Sequence, residues 1–69
     1  MKQKVDKSFM TLIVRSPDIG DGWRGVTNHL MGLVRQKAKE SPDLYEVRTV
    51  DKQMQVRLSN EGHTVWKYL

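Results

Sequence analysis

Side chains able to do acid–base, nucleophilic or metal chemistry are few in this chain and poorly spaced for it. His29 and His63 are its only histidines, and neither has a carboxylate at ligand spacing. Cysteine is absent, which removes disulfides, thiolate metal sites and thiol nucleophiles together. The hydroxyls of Ser8, Thr11, Ser16, Thr27, Ser41, Thr49, Ser59 and Thr64 fall in strand, cap or helix contexts, with no G-x-S-x-G elbow to expose one of them. Asp18-Ile19-Gly20-Asp21-Gly22 has the look of a cation loop. Counted from Asp18, however, alternate positions are glycines and the twelfth is His29, where a calcium loop needs a bidentate glutamate. As a phosphate cradle the same loop would set two carboxylates against the anion, so it is read as a tight turn whose aspartates cap a helix. No catalytic residue, metal site or cofactor is expected, and no small-molecule substrate is indicated.

What remains is charge. Twelve Lys and Arg against eight Asp and Glu give a formal net charge of +4 and an isoelectric point near 9.7, a balance that draws polyanionic partners. Arg35, Lys37 and Lys39 crowd the end of an expected helix, where cations also stabilise the dipole. Arg48, Lys52 and Arg57 lie along an expected hairpin on one solvent-facing ribbon, where no dipole accounts for them. A basic hairpin with a lysine at its tip can track a phosphate backbone or enter a minor groove. The candidate nucleic-acid contacts are therefore Arg48, Lys52 and Arg57, joined by Arg35 and Lys39; the competing role is a charged edge that opposes aggregation. Gly25 and Gly32 would each cost a helix roughly 0.5–1 kcal/mol relative to alanine. With Asn28 they mark the polar helix side as a candidate partner interface. Trp23 and Trp66 sit on helical apolar stripes and read as core residues; stacking on bases would need them at the surface beside basic groups.

The elements that must carry these residues make one small domain. The composition, 38% hydrophobic and 29% charged, is that of a folded chain, with a mobile basic tail expected over residues 1–7 and a single α+β domain over 8–69. The first residues lack the apolar stretch of a signal peptide, and no run reaches membrane-spanning length. Together with the missing cysteines this predicts a soluble cytoplasmic protein, with no membrane partner. Phe9 to Val14, apolar throughout, predicts a strand covered on both faces. Arg15 to Gly22 is turn-rich. Trp23 to about Glu40 predicts one long amphipathic helix with Trp23, Val26, Leu30, Leu33 and Val34 on its stripe, ended by Ser41-Pro42. Leu44–Val50 and Met54–Leu58 predict an antiparallel hairpin around Asp51-Lys52-Gln53. Ser59 caps a short final helix from Asn60 to Leu69, whose Val65, Trp66 and Leu69 close the core. The order is β-α-β-β-α: a small antiparallel sheet, one long packed helix and a short C-terminal helix.

The stretch Leu44 to Leu69, a basic hairpin followed by Leu58-Ser59-Asn60-Glu61-Gly62-His63-Thr64-Val65-Trp66, resembles the end of a winged-helix domain. There the wing's second strand runs into a leucine, a small hydroxyl residue, an acidic residue and a glycine that open a last helix. The resemblance covers the final third of the chain. It implies DNA binding through a recognition helix in the major groove, with the wing on adjacent phosphate. Winged helices place two helices between their first and second strands, whereas one long helix is expected here unless Gly25 or Gly32 breaks it. The expectation is a non-enzymatic nucleic-acid-binding regulator or accessory protein of the kind encoded by phage or mobile elements. The alternative is a protein–protein interaction or inhibitor module that self-associates, with a homodimer as its simplest form.

Overall fold

The computed structural model describes residues 5–67. It is a small α+β fold with helices α1 (Lys7–Ile13), α2 (Met31–Glu40) and α3 (Asn60–Lys67) around strands β1 (Arg24–Gly25), β2 (Tyr45–Val50) and β3 (Gln53–Leu58), with a 3-10 turn at Asn28–Leu30 leading into α2. The sheet is antiparallel, in the order β1-β3-β2.

The segment expected as the first strand is helical instead. Asp6 takes an extended conformation and its carboxylate accepts the Phe9 amide at 3.2 Å, a side-chain N-cap. Val5 before the cap and Met10 in the first turns are both buried, the arrangement of a hydrophobic staple. Val5, Phe9, Met10 and Ile13 then form a stripe of helical period against the core, while Thr11 and Val14 are exposed. A short continuous apolar run is compatible with either element, and here the cap and the 3.6-residue period decide. Residues 5–7 of the expected tail are thus ordered, and residues 1–4 lie outside the described residues.

What clasps α1 to the rest is polar. The Asp6 amide donates to the Tyr45 hydroxyl at 3.1 Å, and Lys37 Nζ of α2 lies 2.6 Å from Asp6 Oδ2. The Phe9 and Tyr45 rings meet edge to face, with centroids 5.2 Å apart at 84°.

The expected long helix from Trp23 to Glu40 is divided. Gly20, Asp21 and Gly22 all have positive φ, and Asp18 Oδ1 accepts the amides of Gly20 at 2.7 Å and Gly22 at 3.2 Å. Asp18 therefore fastens the turn itself and caps no helix. The chain leaves this turn extended: Arg24 and Gly25 pair with Val56 and Gln55, and the Val26 amide donates to the Met54 carbonyl at 2.9 Å. Only from residue 28 does helical structure begin. α2 buries Val34 completely, with Leu30, Met31, Leu33 and Ala38 packed partly against the same core.

The hairpin has the expected strands, with Gln53 in β3 rather than in the turn. Tyr45, Val47 and Thr49 share the helix-covered face with Leu58, Val56 and Met54; Glu46, Arg48 and Val50 share the other with Arg57, Gln55 and Gln53. At the end of β3, Ser59 caps α3 as expected: its Oγ accepts the Gly62 amide at 3.0 Å and donates to the Asp43 carbonyl. The Ser59 amide donates to the Leu44 carbonyl at 2.9 Å. Val65 and Trp66 pack against the core, and Leu69 lies outside the described residues.

Gly62 stands where α3 crosses the start of β2. A Cβ added there would lie 2.2 Å from the Leu44 carbonyl oxygen, so backbone would have to move. Helix propensity alone would make Gly62→Ala stabilising by roughly 0.5–1 kcal/mol. The close approach reverses the sign: urea denaturation should show a loss of about 1–3 kcal/mol, typical of overpacking.

The clasp also sets a pH dependence. The hydrogen bond from Lys37, aided by the Phe9 amide, lowers the Asp6 carboxyl below its ordinary value, while the same contact raises Lys37 above its own. Burial raises the Tyr45 phenol. Stability from Asp6 is present above the unfolded carboxylate range, near pH 4, and is lost as pH falls through its lowered folded value. Stability from Lys37 and Tyr45 is present below about pH 10 and is lost as pH rises through their raised values. Urea midpoints should therefore be flat between pH 5 and 9 and fall at both ends. Asp6→Asn keeps a cap acceptor; it should shallow the acid limb and, because Lys37 loses the partner that raises it, part of the alkaline limb as well.

Candidate functional site

The face of the sheet turned away from the helices carries the densest set of functional-type side chains. Trp23 precedes β1 and, continuing the Arg24–Val56 register, comes to lie beside Arg57 on β3. It is 7% exposed yet does not belong to the contiguous apolar core. Its cover is two arginines: Arg48 Cζ lies 4.2 Å and Arg57 Cζ 4.3 Å from the ring centroid. Guanidinium planes stack readily on indole, gaining cation–π attraction while their methylene stems exclude water.

Each guanidinium is also fixed laterally. Arg48 Nε donates to Gln55 Oε1 at 2.6 Å, and Gln55, 5% exposed, passes a long hydrogen bond to Gln53 Oε1 at 3.4 Å. Arg57 Nε donates to Glu46 Oε1 across the pair, and its Nη1 donates to the Asp21 carbonyl at 3.0 Å. The two arginines consequently differ. Arg57 is neutralised by Glu46 and tied to the turn, whereas both terminal nitrogens of Arg48 are without a hydrogen-bond partner among the described residues. Stacking and the Gln55 bond hold Arg48 in one orientation, so its free donors are presented with little rotamer freedom left to lose.

Lys52 forms the tip of the same hairpin. Asp51 and Lys52, at φ 50° and 67°, are the central residues of a two-residue turn with both backbones left-handed, the type I′ geometry that favours Asn-Gly. Aspartate tolerates this conformation; lysine is strained by it, on the order of 1 kcal/mol.

Of the expected nucleic-acid contacts, then, Arg48 and Arg57 converge on one aromatic ring and Lys52 extends the same ribbon. Arg35 and Lys39 are exposed on α2, across the sheet from this cluster, and do not join it. The expected glycine-bearing interface loses its single helix face: Gly25 is in β1, Asn28 in the 3-10 turn and Gly32 at the open, exposed start of α2. Gly25 has a different use. A Cβ there would fall 2.7 Å from Gln53 Nε2, so its bareness makes room for the outer-face polar layer.

Trp23 is the functional-type residue that the helical stripe concealed. The turn formers immediately before it and Gly25 just after it were the signal against a helix start there. His63 lines a shallow polar depression with Asp21, Glu46, Arg57 and Asn60, and His29 is exposed elsewhere. Among the described residues no three His, Cys, Asp or Glu side chains gather as a metal site, and no helix is long and apolar enough to cross a membrane. No protein-family model, curated protein sequence or solved structure matches the chain.

The strained tip yields a stability test. Lys52→Gly should raise the free energy of unfolding by about 0.5–1 kcal/mol in urea titration, because glycine adopts the left-handed turn without penalty. An unchanged or lower midpoint would contradict the strain assigned to this residue.

Proposed function

We propose that this protein is a non-enzymatic nucleic-acid-binding module of the cytoplasm, a regulator or accessory protein of the kind phage and mobile elements encode. The hairpin β2–β3 is its contact element: Arg48 and Lys52 meet phosphate, and Arg57 positions Arg48 through the shared indole. The observation that carries the reading is the fixed Arg48 guanidinium, stacked on Trp23, with both terminal nitrogens unengaged among the described residues. An arginine needed only for solubility gains nothing from such restraint, whereas one that meets a phosphate oxygen gains from it on every encounter. The lysine at a turn position that disfavours it supports the same reading, since strain retained at a tip is consistent with a side chain in use. The net charge of +4 supplies long-range attraction. The winged-helix resemblance points the same way, as its wing would be this hairpin.

The test is a fluorescence-anisotropy titration against labelled duplex DNA, single-stranded DNA and RNA at two salt concentrations. Saturable binding that weakens with salt is expected, with a slope matching a few phosphate contacts. Arg48→Ala should weaken binding about five- to tenfold or more, and Arg48→Lys should restore only part of it, because lysine keeps the charge and loses the stacked fork. Lys52→Gly, stabilising for the fold, should lower affinity and reduce the salt slope by about one. Absence of binding at low salt to all three nucleic acids would refute the proposal, as would an Arg48→Ala variant that binds like the parent.

A further inference from the structure

We propose that a second copy of this chain pairs with the open edge of β2, joining two three-stranded sheets into one of six strands about a twofold axis at Val47. β2 is one of the two outer strands of the sheet, the longer one, and its far side has no strand partner among the described residues. The hydrogen-bonding groups facing that edge can be assigned. Val26 N donates to the Met54 carbonyl, so Met54 turns toward β1, and antiparallel alternation turns Gln53, Gln55 and Arg57 toward β2. Their partners Val50, Arg48 and Glu46 therefore face β3, and Tyr45, Val47 and Thr49 face outward. The Tyr45 amide is engaged by the Ser41 carbonyl at 3.4 Å, which leaves the amides of Val47 and Thr49 and the three carbonyls. Val47 and Val50 are exposed apolar residues on this strand, at 38% and 40%.

Charge selects the register. For the sheet to continue across a twofold axis, edge-facing residues must oppose edge-facing residues. An axis between positions 45 and 47 would oppose Glu46 to itself, and one between 47 and 49 would oppose Arg48 to itself. An axis through Val47 opposes Glu46 to Arg48 of the second copy, twice, on the outer face. It also brings the two Val47 side chains together on the covered face and sets Thr49 against Tyr45. The amides of Val47 and Thr49 then donate to the carbonyls of Val47 and Tyr45 in the other copy, four hydrogen bonds in all. Glu46 would lie between Arg57 of its own chain and one terminal nitrogen of the opposing Arg48, leaving that arginine's other terminal nitrogen for solvent or phosphate.

One consequence rests on the function proposed above, although dimerisation itself does not. The two Lys52 tips would point in opposite directions, roughly 34 Å apart at about 3.4 Å per residue, close to the spacing of half-sites one duplex turn apart.

The test is made on the whole chain in buffer without nucleic acid. Light scattering over increasing concentration should show the mass rising from one chain of 8.0 kDa toward two. Val47→Lys, which would place two ammonium groups at the axis, should hold the protein monomeric with an unchanged circular dichroism spectrum. Since the chain has no cysteine of its own, Val47→Cys should be joined efficiently by a short bismaleimide, and Val50→Cys, far from its counterpart in this register, should not. A parent protein that stays monomeric to millimolar concentration would overturn the proposal. So would a dimer that survives Val47→Lys, or one that crosslinks as readily through position 50 as through 47. Dimerisation without nucleic-acid binding would leave this pairing intact and remove only the function proposed for the hairpin.

Discussion

A chain this short has helical surface enough to cover one face of its sheet, and the other must be made tolerable to water by other means. Phe9, Met10 and Ile13 of α1, Val34 of α2 and the partly buried Val65 and Trp66 of α3 all pack into one apolar cluster with Met54, Val56 and Leu58. Among the described residues no helix is left for the opposite side. There Trp23 lies down on the strands, and Arg48 and Arg57 lie over it, burying indole and Gln55 beneath groups that are themselves comfortable in water. The bare backbone at Gly25 belongs to the same layer, leaving room for the Gln53 side chain beside it.

The same layer separates a structural cation from an available one. Arg57 is matched by Glu46 and by the Asp21 carbonyl, so it belongs to the fabric of the fold. Arg48 shares the ring and the strand pair but keeps its terminal donors open. Net charge alone would treat the two alike. Position in a hydrogen-bond network, rather than sign, distinguishes a residue that holds the surface together from one able to meet a partner.

How much of this was legible in the sequence depended on the range of the forces involved. The hairpin and the Ser59 cap are local, set by alternation and by one hydroxyl, and both stand where the sequence places them. Phe9 to Val14 misled because a run of apolar residues carries no period of its own; Asp6 and Val5, just outside the run, held the information. Trp23 misled in the opposite direction, because Val26, Leu30 and Val34 extend a helical stripe back through a segment that turn geometry and strand pairing had already claimed. The pairing of Trp23 with residues more than twenty positions later has no local signature. Gly62 shows the intermediate case: the sequence marks it as a helix-opening glycine, while its reason, the Leu44 carbonyl alongside, appears only in three dimensions.

The clasp between Asp6, Tyr45 and Lys37 has a bearing on how the molecule opens. α1 has seven residues, too few to persist as a helix in isolation, and its docking spans 39 positions of chain from Asp6 to Tyr45. By contrast β2, β3 and the start of α3 are joined by neighbouring segments and can assemble with little loop to close. The N-terminal helix is accordingly the piece with the least local support, and exchange of its amide protons ahead of the hairpin's would report the opening of that clasp rather than unfolding of the whole domain.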